Sequence, residues 1–187
     1  MFQNIEKFTL LGYAHVIPFG FDHILFIISI YFLSNTLKSI VIQCAAFTVA
    51  HSITLGLSAA GFVATQSAII EPLIAFSILI TALQNIVKTP NIKYSLLIVF
   101  IFGLIHGLGF ASALKETGML QNNFLLSLIS FNLGVELAQI TIIMALYIFI
   151  TKQFAHKSWY SNRIVLPISS VIACIAVYWT IERILAA

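Results

Sequence analysis

Phe100-Ile101-Phe102-Gly103-Leu104-Ile105-His106-Gly107-Leu108-Gly109-Phe110-Ala111 decides how this chain is read. It sets an imidazole, His106, among glycines inside a long apolar run. Apolar density of that kind marks a membrane helix, where no water is present to satisfy a polar ring. An ionisable side chain in such a place is a functional-site candidate by default. Gly103 and Gly107 form a GxxxG pair, which lets a second helix approach closely beside the ring. Three other apolar runs carry an internal histidine or carboxylate, so the question is whether they converge on His106.

The composition supports a membrane reading throughout. Of the 187 residues 60% are hydrophobic and only 8% charged, where a soluble domain would carry about 25% charged residues. The mean hydropathy is +1.06. The net charge of +3 lies mostly in connecting segments, so it speaks to orientation in a bilayer rather than to nucleic acid. Cys44 and Cys174 both fall in apolar runs, which argues against a disulfide framework. The N-terminal region does not read as a secretory signal, because Glu6, His15 and Pro18 break its apolar start.

Taken in order, the chain is expected to be an all-α polytopic membrane bundle of one domain. Residues 1–16 read as an amphipathic interfacial helix, followed by the break at Pro18 and Gly20. Six spans are expected at about 17–34, 37–60, 67–87, 94–114, 124–151 and 164–184, or seven if the N-terminal segment inserts. The first is short for a span, which predicts tilt or entry through a broken segment. Loops after the first, third and fifth spans hold Lys38, Lys88, Lys93, Lys152, Lys157 and Arg163, against Lys7, Lys115 and Arg183 on the other side. The positive-inside rule therefore places both termini outside the cytoplasm.

With that orientation, depth follows from the ~1.5 Å rise per residue. Asp22, His23 and Glu71 are expected roughly 5–10 Å below the outer surface, and His51 and His106 at about 10–12 Å. Asn132 and Glu136 share a face by i,i+4 spacing at about 12–18 Å. Residues serving only their own packing would scatter in depth, whereas these gather in the outer half. Imidazoles with carboxylates are the donor set that zinc, nickel and related divalent metals prefer. Asp22, His23, His51, His106 and Glu136 are the expected metal ligands. Thr48, Ser52, Asn132 and Gln139 are expected to orient them, with His15 and Glu71 as entry groups. His156, in the basic loop, reads as a solvated histidine.

Several motifs are also familiar. His15-Val16-Ile17-Pro18-Phe19-Gly20-Phe21-Asp22-His23, Phe47-Thr48-Val49-Ala50-His51 and Glu71-Pro72-Leu73-Ile74-Ala75 resemble, in this order, the HupE/UreJ membrane proteins. So do the opening stretch and Phe131-Asn132-Leu133-Gly134-Val135-Glu136-Leu137-Ala138-Gln139. The resemblance runs from about Gly12 to Gln139. It implies a bacterial inner-membrane protein that moves nickel and serves hydrogenase or urease metallation, with maturation factors as possible partners. Members commonly carry an extracytoplasmic domain before the first motif, for which this chain has no counterpart. His15 and Asp22-His23 also look like a longer-spaced form of the His-x4-Asp-His signature of nickel/cobalt permeases.

Two functions of different class follow. One is a permease for a divalent transition metal, which needs an exit through an inner half where Gln43, Gln84, Asn85 and Gln139 are the polar groups. The other is an intramembrane zinc hydrolase acting on a lipid or acylated substrate. There, three imidazoles would hold zinc with a fourth position open to a water of pKa ~7. Asp22 or Glu136 would be the general base, and Ser52 would hydrogen-bond substrate or water. Transport is the favoured reading. The oligomeric state is not written in these residues.

Overall fold

The computed structural model describes residues 2–34, 36–63, 66–87, 92–109 and 123–186. These form helices and turns, with no strand among them. The helices are α1 (Phe2–Val16), α2 (Phe21–Leu33), α3 (Leu37–Ala59), α4 (Ser67–Val87), α5 (Ile92–Gly109), α6 (Phe124–Leu146) and α7 (Leu166–Leu185). A π-helical turn, Tyr147–Thr151, prolongs α6, and another, Ser161–Val165, leads into α7. Thr36 caps α3, its hydroxyl accepting from Ser39 N at 3.2 Å.

Set against the six expected spans, four segments are long and apolar enough to cross a bilayer: Leu37–Ala59, Ser67–Val87, Phe124–Phe154 and Ser161–Leu185. The segment expected as the first span holds only the 13 residues of α2, about 20 Å of helix against a ~30 Å hydrocarbon core. It qualifies only jointly with α1, from which it is bent by 71°. The bend between them falls at Ile17-Pro18 and Gly20. For α5 the described apolar helix is Ser95–Gly109, and the expected continuation to residue 114 lies outside the described residues.

Packing explains these assignments. On α3, Val49, Ile53 and Leu57 are exposed at i,i+4 spacing, as are Ile129, Leu133 and Leu137 on α6. Large apolar side chains facing outward in rows are what a helix presents to lipid. The opposite faces bury two cores. One joins Phe8, Val16, Ile27, Tyr31, Phe131 and Val135. The other joins Phe26, Ile30, Phe47, Ile78, Phe102 and Ile172.

Helices associate as three close pairs, α1 with α6, α3 with α5 and α4 with α7, while α2 touches α1, α3, α4, α6 and α7. Glycines set the closeness of two pairs. Gly12 lies under the Phe131 backbone and Gly134 under the backbone of Thr9 and Tyr13. The N-terminal helix, expected at the interface, is thus seated on α6 and buries Phe8, Gly12 and Val16. Gly103 and Gly107 do the same between α5 and α3. That contact carries His106 to the level of His51.

Candidate functional site: a buried imidazole cluster

Four histidines from four helices meet between the two cores. His15 is in the last turn of α1, His23 in the first turn of α2, His51 in α3 and His106 near the end of α5. His23, His51 and His106 are almost wholly buried. Ring centroids of His15 and His23 are 4.6 Å apart, of His23 and His106 5.1 Å, and of His23 and His51 5.8 Å. His23 is therefore the hub. One ring nitrogen from each of His15, His23 and His51 lies within 4.8 Å of the others. Phe131 flanks His15 at 5.5 Å, and Phe26 and Phe47 flank His106 at 5.2 and 5.1 Å. These aromatic rings pack directly against the imidazoles.

Hydrogen bonds settle which nitrogens face inward. Asp22 Oδ1 accepts from His23 N at 2.9 Å and pairs with His23 Nδ1 at 3.1 Å. A carboxylate can only accept, so His23 carries its proton on Nδ1 and presents a lone pair on Nε2. That Nε2 is buried without a hydrogen-bond partner. Ser77 does the equivalent for His106. Its hydroxyl donates to Ile74 O at 2.7 Å and stands 3.0 Å from His106 Nε2. Its one proton being used, Ser77 Oγ accepts from Nε2–H, which leaves the lone pair on Nδ1, again buried without a partner. Asn132 donates to Leu128 O at 2.8 Å, and both ring nitrogens of His51 are buried without a hydrogen-bond partner.

A carboxylate or hydroxyl holding one nitrogen while the other points at a shared space is the supporting arrangement of metal-binding imidazoles. Were these rings to hold a divalent metal such as nickel, Ser77→Ala would weaken its binding about tenfold with the fold intact, as read by titration calorimetry.

The remaining expected residues divide. Neither Asp22 nor His106 is a member of the converging group: Asp22 pairs with His23, and the His106 ring stands 5.1 Å from that of His23. His15, expected only at the entrance, supplies one of the three converging nitrogens. Glu71 lines a cavity of about 300 Å³ together with His15, Asp22, His23, Ile74, His106, Gly109 and Arg183. Glu136 is outside both groups. Thr48 donates to Gln139 Oε1 at 3.2 Å, and Ser52 donates to Thr48 O at 2.6 Å, so these hydroxyl protons are not spent on imidazoles.

Ser77 and Arg183 were not singled out from sequence. Ser77 had a signal, because Ser77, Thr81 and Asn85 form an i,i+4 polar row on an apolar helix, and all three are buried.

Fold and site together define a polytopic helical membrane protein with a buried histidine cluster toward one end of the bundle. A family model described as HupE / UreJ protein matches residues 1–183, nearly the whole chain. The chain belongs to the HupE/UreJ family, which is associated with nickel or cobalt uptake or accessory function. Searches of curated proteins and of solved structures gave no significant match.

Proposed function

We propose that this protein is a permease of the cytoplasmic membrane that takes a divalent transition metal, nickel or a close relative, from the extracytoplasmic side. The observation that carries the reading is the convergence of three imidazole nitrogens within 4.8 Å. Two further facts support it: the lone pairs of His23 Nε2 and His106 Nδ1 are buried and unengaged. Three nitrogens bound to one ion at ~2.1 Å would stand roughly 3.4 Å apart. Small ring rotations close the difference, so the three imidazoles can share one ion.

Transport also needs a way inward, and α3 and α6 provide a polar track. Below His51 and Asn132, α6 brings first Glu136 and then Gln139, whose Oε1 accepts from Thr48 at 3.2 Å, and α3 continues past Thr48 to Cys44. Beyond these lies a second cavity of about 340 Å³, lined among others by Tyr31, Ser34, Tyr147, Thr151 and Tyr160. Tyr31 follows His23 by eight residues on α2, about 12 Å along the helix axis, which puts this cavity toward the other end of the bundle. Oxygen donors and one carboxylate give an ion leaving the imidazoles somewhere to go. Gln43 and Asn85, by contrast, are engaged in structural hydrogen bonds, to Ser34 and Ser39 and to Ser29 O respectively.

The hydrolase reading loses support on the same grounds. Of its two expected bases Asp22 is paired with His23, which leaves Glu136, and the Ser52 hydroxyl donates to its own helix.

The test is nickel uptake into proteoliposomes with an entrapped fluorescent chelator. Saturable uptake by the wild type is expected, with Glu136→Gln slowing it about tenfold while equilibrium nickel binding stays within about twofold. Stoichiometric zinc that survives chelator dialysis, with no nickel flux, would overturn the proposal in favour of a hydrolytic or structural site.

A further inference from the structure

A guanidinium is an unexpected neighbour for a cation site. Arg183, in the last turn of α7, lines the same cavity as His15, His23 and His106 and lies within electrostatic reach of His106. It is half-buried. One N–H of its fork, on Nη1, donates to Glu71 O at 3.0 Å, and its plane lies 5.4 Å from the Trp179 ring centre. Among the described residues no carboxylate stands within ion-pair distance of it. The guanidinium is thus positioned by a backbone carbonyl and an aromatic ring, neither of which neutralises it.

Charge accounting shows what is missing. With neutral imidazoles, the cavity holds two carboxylates, Asp22 and Glu71, and one guanidinium, a single net negative charge. A bare divalent ion would turn this into a net positive charge beside Arg183. Repulsion between the ion and the guanidinium makes that arrangement unfavourable. An ion that brings one monoanionic ligand leaves the loaded cavity neutral. Arginine's planar fork is the side chain best suited to a carboxylate, which it binds through two parallel hydrogen bonds. About 300 Å³ accommodates an ion with a small ligand, given ~30 Å³ per water-sized group.

We infer that Arg183 is an anion subsite, and that the species recognised is a divalent transition metal carrying one small carboxylate ligand rather than the hydrated ion alone. This rests on the metal reading above and names its substrate class.

Equilibrium dialysis of the detergent-purified protein tests it, using labelled nickel chloride alone or with labelled glycine at a level that favours the one-to-one complex. The wild type is expected to retain nickel and glycine together, about tenfold more tightly than nickel alone. Arg183→Gln should retain nickel but no glycine, and lose the tenfold preference. Arg183→Lys should recover part of it, since charge is restored without the fork. Nickel retained by Arg183→Gln also shows that the variant is folded. The inference is overturned if the wild type holds nickel without glycine, if glycine only strips nickel from both proteins, or if both retain glycine equally. Retention of no nickel under either condition overturns the metal reading itself, and this inference with it.

Discussion

Replacing His23 with alanine is expected to lower nickel affinity at least a hundredfold, while Asp22→Asn lowers it about tenfold. The difference in size is the informative part. His23 is in ring contact with His15, His51 and His106, so its removal takes away a donor nitrogen and the element that holds the other rings at a common level. Asp22 supplies no converging nitrogen or oxygen; it fixes the tautomer and orientation of His23. An asparagine keeps an acceptor oxygen but loses the negative charge that makes the imidazole a better donor. Nickel titration of both variants, with monodispersity as the control for folding, checks the order. Were Asp22→Asn as damaging as His23→Ala, Asp22 would be a ligand in its own right.

Much of this arrangement is legible in the sequence, and the part that is not has a common cause. Counting residues from span ends gives position along a helix axis, which is why His23, His51 and His106 could be expected at one level. It gives no rotation about that axis and no partner. Glu136 has a suitable depth but lies outside the group of converging nitrogens. Ser52, next to His51, has a hydroxyl that its own helix consumes. Ser77 and Arg183 belong to helices whose faces toward the cluster are chosen by packing against α2, α5 and each other. His15 was undervalued because it precedes Pro18 and Gly20, and a break in a pattern reads as a surface turn. In the folded chain that break turns α1 back onto α6 and brings His15 inward. The N-terminal helix follows the same logic, since Gly12 and Gly134 mark a tight crossing only when each is known to face the other.

The fourth histidine depends on a glycine, and this sets the second large effect. Gly107→Ala is expected to destabilise the bundle by about 1–3 kcal/mol, and Gly107→Val to prevent recovery of a monodisperse protein. A methyl group at Gly107 would meet the carbonyl oxygen of His51 and Thr54 Oγ1. The carbonyl belongs to the α3 backbone and cannot turn aside, so relief requires α5 to move off α3. Gly109 is the control within the same motif. Its added carbon would meet Ile74 Cδ1 at 2.7 Å, the far end of a flexible side chain that can change rotamer. Gly109→Ala should therefore melt within a few degrees of the wild type in a size-exclusion thermal assay. The same displacement has a chemical consequence. Moving α5 outward draws His106 away from His23 and lengthens its contact with Ser77, whereas His15, His23 and His51 keep their places on other helices. Gly107→Ala is accordingly expected to retain nickel with about tenfold lower affinity, close to the loss for Ser77→Ala. Combining the two should cost little more than either alone, because both act through the position of one ring. Fully additive losses would mean that His106 and the α3–α5 crossing contribute independently, and that the GxxxG pair serves stability without setting the site.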